Sequence, residues 1–253
     1  MTAQPAPALP RTCCPLVWLW PGQALYAGPS LDLGPHSGSV WCPGGRHRWT
    51  AHHRDERLHH PRRAQCADPA RLTHQLTCRG SGLVSCYLEP ASSRADASRL
   101  KFGGWHRNIG VGHLAEERLQ VAPDDGESAC RWLDLAAAAA HHVVDPRISA
   151  AACRIRDEPA AAISSRELAT EAGLSESRFL HLFRDELGTT LRRYRLWVRL
   201  MQAGAAIAAG DNLTAAAMKA GFASPSHLAD RFKTTFGLSA SQLLGTGVTL
   251  RTP

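Results

Sequence analysis

Residues 221–237 read "GFASPSHLADRFKTTFG". Ser224 followed by Pro225 has the form of an N-cap and a first helical residue, because the serine oxygen accepts an orphan backbone N–H and proline has none to orphan. Leu228, Phe232 and Phe236 recur every four positions and share one helix face, leaving Ser226, His227, Asp230, Arg231 and Lys233 on the others. Gly237 is a C-terminal stop. Taken alone, the segment predicts an amphipathic surface helix.

The segment is not alone. Residues 173–188 read "GLSESRFLHLFRDELG", with glycine, serine, an aromatic pair and a closing glycine in the same order. Ser175 and Ser224, Phe183 and Phe232, and Gly188 and Gly237 are each 49 apart (224−175, 232−183, 237−188), which is an internal repeat. Each copy follows a short helix-forming run, "SSRELATEA" (164–172) and "LTAAAMKA" (213–220), and Ser164 and Glu167 stand at capping-box spacing. A helix, a glycine-bearing turn and a second helix with polar outer positions form the helix-turn-helix pattern, whose second helix enters the DNA major groove.

Between the units, residues 189–210 place Leu191, Tyr194, Trp197, Leu200 and Met201 at three- and four-residue steps, predicting one continuous helix. About twenty residues at ~1.5 Å each span roughly 30 Å, close to the ~34 Å between successive major-groove faces on one side of B-DNA. One chain has the reach to dock two recognition helices.

The run "ELATEAGLSESRFLHLFRDELGTTLRRYRLWVRLMQA" (167–203) together with "AAMKAGFASPSHLADRFKTTFGLSASQLL" (216–244) resembles the DNA-binding domain of the AraC/XylS-type transcriptional regulators, over residues 157–247. The resemblance implies two helix-turn-helix units joined by a long helix, with recognition helices at 175–187 and 224–236. The family's DNA-facing positions match Ser177 and His181 in the first helix and Ser226 and Asp230 in the second. Neighbouring Arg178, Arg184, Ser224, His227, Arg231 and Lys233 complete the candidate DNA-binding set. The sequence departs from the family at two places. Asp230 stands where arginine is frequent, so that it either accepts from a cytosine amino group or repels phosphate. The family's usual serine-proline-aromatic-arginine ending is reduced to "SASQLL" (239–244). Ser177, Arg178, His181 and Arg184 are therefore the stronger candidates for sequence-specific contact.

Charge agrees with this reading. The chain of 253 residues has 29 basic and 22 acidic residues, a net charge of +7. Residues 147–253 hold 14 Lys and Arg against 9 Asp and Glu, so +5 of that excess falls in the reader. Phosphate contacts dominate affinity for nucleic acid, and a basic domain meets that need. Arg192, Arg193, Arg195 and Arg199 either contribute to it or form the solvated face of the connecting helix. No stretch of eighteen apolar residues occurs, and the start "MTAQPAPALPRTCC" lacks the pattern of a signal peptide. A cytoplasmic protein is expected. The eight cysteines, at 13, 14, 42, 66, 78, 86, 130 and 153, contain no C-x-x-C pair and read as small apolar residues or free thiols.

The rest of the chain has room for a second domain. Short apolar runs at 15–20, 39–42, 72–78 and 82–90, separated by Gly, Pro and Ser, predict a sheet-rich sandwich or barrel. Helical pattern follows at 128–144, including the "AAAAA" run, and at 145–158. The expected division is a disordered 1–14, a β-rich domain at 15–122, a helical linker at 123–156 and the reader at 157–247. Residues 42–70 hold six arginines and five histidines with almost no aliphatic residue. Three readings are open: a metal site using His52, His53, His59 and His60; a disordered basic loop; or the product of a locally shifted reading frame in GC-rich DNA. His36 and His74 are either pocket-lining or ordinary core and turn histidines.

The expectation is thus an α+β chain, with a cupin-like jelly-roll domain followed by an all-α domain of two helix-turn-helix units. Its expected function is sequence-specific transcription regulation without enzymatic activity or cofactor. Double-stranded DNA is the expected partner, joined by RNA polymerase, a small-molecule effector at the first domain and a second copy of the chain, with no membrane. The rival reading is a cupin-type metalloenzyme fused to a DNA-binding domain.

Overall fold

A computed structural model of the chain describes residues 15–29, 31, 33–36, 40–42, 47–53, 56–60, 66–67, 74–78, 82–89, 93–106, 109–138 and 144–252. The expected disorder of 1–14 lies outside them. The first two strands, β1 (Leu16–Trp20) and β2 (Gln23–Gly28), form a hairpin across Pro21 and Gly22. Proline presets its own φ there, and Gly22 takes a φ of +73°. The next strands are β3 (Leu33–His36), β4 (Val40–Cys42), β5 (His47–His53), β6 (Glu56–His60), β7 (Cys66–Ala67), β8 (His74–Cys78) and β9 (Leu83–Leu88). After helix α1 (Ser93–Arg99) come β10 (Phe102–His106) and β11 (Ile109–His113). The last strand, β12 (Thr249–Arg251), follows all the helices of the second half of the chain. One sheet has the order β10-β11-β7-β4-β9-β2-β1-β12, and a second has the order β3-β8-β5-β6.

The four apolar runs read from sequence are β1, β4, β8 and β9. The loop reading of 42–70 is corrected over 47–53 and 56–60. There β5 and β6 pair antiparallel, with Trp49 opposite His60 and His53 opposite Glu56, and β5 also pairs with β8. Ladder bonds run between backbone groups and do not require aliphatic side chains. The side chains of His36, His52, His53, His59, His60 and His74 lie outside the described residues.

The middle of the larger sheet is apolar on both sides. Val17, Ala24, Tyr26, Leu83 and Tyr87 enter one buried cluster, and Trp18, Leu25, Ala27, Val84, Cys86 and Leu88 enter another. This is the period-two alternation of a strand, with both faces covered. Helix α2 (Gly126–Ala136) covers the second face through Ala129, Trp132 and Leu133. It is shorter than the 128–144 expected from the alanine run. Its end is fixed by tertiary contacts: Nε2 of His113 bonds the Ala136 carbonyl at 3.0 Å, and Arg94 donates to the Ala137 carbonyl at 2.7 Å. The Ala115 N–H donates to His113 Nδ1, so Nε2 carries the ring proton. Ala137 leaves the helix with φ −155° and ψ 87°.

The first sheet face is covered by the all-α part of the chain. This part comprises α3 (Pro146–Asp157), α4 (Ser165–Glu171), α5 (Glu176–Leu187), α6 (Leu191–Ala208), α7 (Leu213–Lys219), α8 (Pro225–Phe236) and α9 (Ala240–Gly245). The α+β architecture read from sequence is the one observed: a β-rich, cupin-like part, then two helix-turn-helix units joined by a long helix. Helix α6 serves two cores. Leu191, Tyr194 and Val198 pack with α3, α4 and α5, while Trp197, Leu200 and Ala203 pack on the sheet with α7 and α8. Strand β12, absent from the sequence reading, returns the chain to the sheet edge and pairs parallel with β1, Leu16 opposite Thr249.

A polar contact lies at the same joint. Arg156 of α3 donates to the Tyr194 hydroxyl at 2.7 Å and stands 3.6 Å from the carboxylate of Glu89, just past β9. Tyr194 also hydrogen-bonds Glu89, yet burial outweighs both partners and raises the Glu89 pKa above its usual 4.5. A raised carboxyl pKa means that the folded state favours the protonated form. The resulting stabilisation is present below pH 4.5 and is lost as pH rises through the folded value. Glu89→Gln stays neutral and should gain stability over the parent as pH rises, the two converging in acid. Urea unfolding over about pH 4 to 8 measures this, and a pH-independent offset would refute it.

Candidate nucleic-acid interface

The two helix-turn-helix units are built by the same local devices. In the first, Ser164 accepts from the Glu167 N–H at 3.1 Å and Glu167 accepts from the Ser164 N–H at 2.6 Å, the capping box expected from their spacing. Ser175 caps α5 by accepting from the Arg178 N–H. Phe179, Phe183 and Leu187 are buried, and Gly188 ends the helix at φ +60°. In the second unit, Asn212 caps α7, Ser224 caps α8 by accepting from the His227 N–H at 3.1 Å, and Gly237 ends α8 at φ +80°.

These devices fix which side chains face outward. Ser177, Arg178, His181 and Arg184 are all exposed on α5. His181 bonds the Ser177 carbonyl through Nδ1 at 3.0 Å. A carbonyl only accepts, so Nδ1 carries the proton and Nε2 is left as an acceptor. On α8, Ser226, Asp230 and Lys233 are exposed, whereas His227 and Arg231 are half-buried. His227 stacks edge-on against Phe222 with ring centroids 5.5 Å apart and accepts from Arg231 Nε at 3.4 Å. Arg231 also stands 3.6 Å from Asp230, so the unexpected acid has a cation beside it. The Ser224 hydroxyl is engaged as the cap.

A groove separates α5 from α8. Leu180 of α5 and His227, Arg231 and Thr234 of α8 line it, and its floor is the first half of α6. Arg192, Arg193, Arg195 and Arg199 line it too, and among the described residues no carboxylate does. Arg195 and Arg199 are half-buried, and Arg199 donates to the Pro159 carbonyl at 3.0 Å. Burial and the charge of Arg199 lower the Arg195 pKa, and its Nη2 lacks a hydrogen-bond partner. Such a cationic cleft favours an anion of matching size. Sequence reading left these arginines between two roles. The signal was in the spacing, since 192, 195 and 199 share one helical face. Among the described residues no three His, Cys, Asp or Glu side chains gather as a metal site, and no helix is long and apolar enough to cross a membrane.

The turns of the two units differ in tightness. Gly173 has φ +65° with nothing within 4 Å of the position a Cβ would take. Gly221 has φ +77°, and a Cβ there would lie 2.6 Å from Ala160 Cα. Gly173→Ala should cost about 1–2 kcal/mol for the left-handed conformation alone. Gly221→Ala should cost clearly more, because the new methyl also meets backbone. Equal losses in urea unfolding would show that the turn at Ala160 yields freely.

Comparison with known proteins bears on the same residues. A family model described as a helix-turn-helix domain matches residues 168–245. The chain is similar in fold to apo ToxT of Vibrio cholerae carrying a single substitution, with TM-score 0.58 and 10% identity over 89% of this chain and 97% of that one. It is also similar to Vibrio cholerae ToxT bound to (E)-4-(8-methylnaphthalen-1-yl)but-3-enoic acid, with TM-score 0.52 and 11% identity over 88% and 98%. An AraC-type transcriptional regulator structure from Chromobacterium violaceum aligns at 21% identity and TM-score 0.36, over 38% of this chain and 88% of that one. A search of the curated proteins gave no match. With its paired glycine turns, its two serine-capped second helices and the long helix between them, the C-terminal part of this chain is similar over residues 168–245 to the family that this helix-turn-helix domain model describes.

Proposed function

We propose that the protein is a sequence-specific DNA-binding transcription regulator that reads two adjacent major-groove segments with α5 and α8. The observation that carries this reading is the arginine-lined groove between two outward-facing helices of matching construction. Arg192, Arg193, Arg195 and Arg199 supply phosphate contacts that set register. Ser177, Arg178, His181 and Arg184, with Ser226, Asp230 and Lys233, supply base contacts. His227 and Arg231 flank the groove.

We further propose an apolar effector. A cavity of about 90 Å³ lies between sheet and reader, bounded by Val17, Leu19, Tyr87, Met201, Phe232 and Phe236 among others. It is smaller than the ~150 Å³ that accepts benzene, so a ligand entering there must part the sheet from α6 and α8. That displacement would change how the second reading helix is presented. The ToxT structure with a bound aryl-butenoic acid supports the reading by similarity of fold.

Selection of bound sites from randomised duplex DNA by the full chain, near physiological salt, tests the central claim. Two short boxes about one helical turn apart are expected. Absence of any enriched sequence would overturn the regulator reading. On the selected site His181→Ala should lose about 1–3 kcal/mol more than on random DNA, and an equal loss on both would make His181 a phosphate contact. Arg192→Gln should weaken both DNAs alike and reduce the salt slope by about 1.

A further inference from the structure

Helix α5 buries a complete apolar stripe, Phe179, Phe183 and Leu187, and that stripe does not include Leu180. Leu180 is 39% exposed. The other large hydrophobics exposed to this degree among the described residues are Leu100, Trp105, Leu114, Val121 and Met218, none of them on a reading helix. Leu180 stands three residues after Ser177, next to His181 and four before Arg184, and so flanks the outward face of α5. It also lines the wall of the groove, facing arginines and threonines. The repeat of 49 puts the smaller, half-buried Ala229 at the corresponding position of α8, whose exposed outward residues are Ser226, Asp230 and Lys233.

The one bulky apolar group on the major-groove edges is the C5-methyl of thymine; cytosine has only a hydrogen at that position, and the groups that otherwise tell base pairs apart are hydrogen-bond donors and acceptors. A leucine on a major-groove helix can discriminate only through that methyl. We infer that Leu180 is a specificity-determining residue that reads a thymine methyl within the DNA segment bound by α5. The inference rests on the regulator reading above. It makes the two half-sites chemically unlike, because α5 presents a bulky exposed leucine where α8 has only the methyl of Ala229.

The test uses the full chain and its selected site, with each thymine replaced in turn by deoxyuridine, which removes the methyl and keeps every hydrogen-bonding group. The parent protein should lose about three- to fivefold in affinity at one or two thymines in the α5 segment, the effect of one buried carbon. Leu180→Ala should bind that site more weakly, show no deoxyuridine effect at those positions, and keep its affinity for random DNA and its helical circular dichroism. Leu180→Met should restore the discrimination. An undiminished deoxyuridine effect in Leu180→Ala, or none in the parent, would overturn the role of Leu180 and leave the regulator reading intact. Failure to select any site would remove both.

Discussion

Strands β1, β2 and β9 carry apolar side chains on both faces, so neither face tolerates water and each demands its own covering layer. Helix α2 with Leu119 supplies one layer, and the reading domain itself supplies the other. Fully burying one large apolar side chain is worth about 1.5–3 kcal/mol, whereas the burial of the Glu89 carboxyl carries a desolvation cost that offsets much of what its partners return. The joint between the two halves of the chain is therefore held by packing, with Trp197, Leu200, Leu228 and Phe236 set against Val17, Tyr26 and Tyr87. The contact of Glu89 with Arg156 and Tyr194 adds direction to that joint more than strength.

This arrangement treats the two reading units unequally. The second unit rests on the sheet. Phe236 meets Tyr87 edge to face at 5.0 Å, and the Gly237 carbonyl accepts from the Gly34 N–H at 2.8 Å. The first unit has its own core with α3 and the start of α6. Movement of the sheet would thus reach α8 directly, and α5 through α6 and through the contact of Glu89 with Arg156 of α3. Under the proposed function, this difference would let one half-site stay engaged while the presentation of the other is altered, a population shift within a single chain.

Much of this was legible in the sequence because the relevant signals are local. Ser164 with Glu167, Ser175, Ser224, Gly188 and Gly237 announce helix ends by chemistry that acts over three or four residues. The repeat of 49 then gives the pairing of the units. What escaped was set at long range. The alanine run promised helix to 144, but His113 and Arg94 end α2 at Ala136. The pairing of 47–53 with 56–60 is backbone work that composition conceals. The exposed Leu180 reads as one more apolar residue in an amphipathic helix until its burial is known. That the arginines of α6 line a groove emerges only when α5 and α8 are seen on either side of them.

Strand β12 has a consequence for the order of folding. Leu16 to Trp18 find their partners at Thr249 to Arg251, so that edge of the sheet stays open during synthesis until both reading units have left the ribosome. An uncovered apolar strand edge is a template for pairing with other chains. Closing a loop of this length is also slow, because the entropy must be met before the contacts form. In the nascent chain, therefore, one edge of β1 has no partner until Thr249–Arg251 arrive, and the order of synthesis itself sets when the sheet can close.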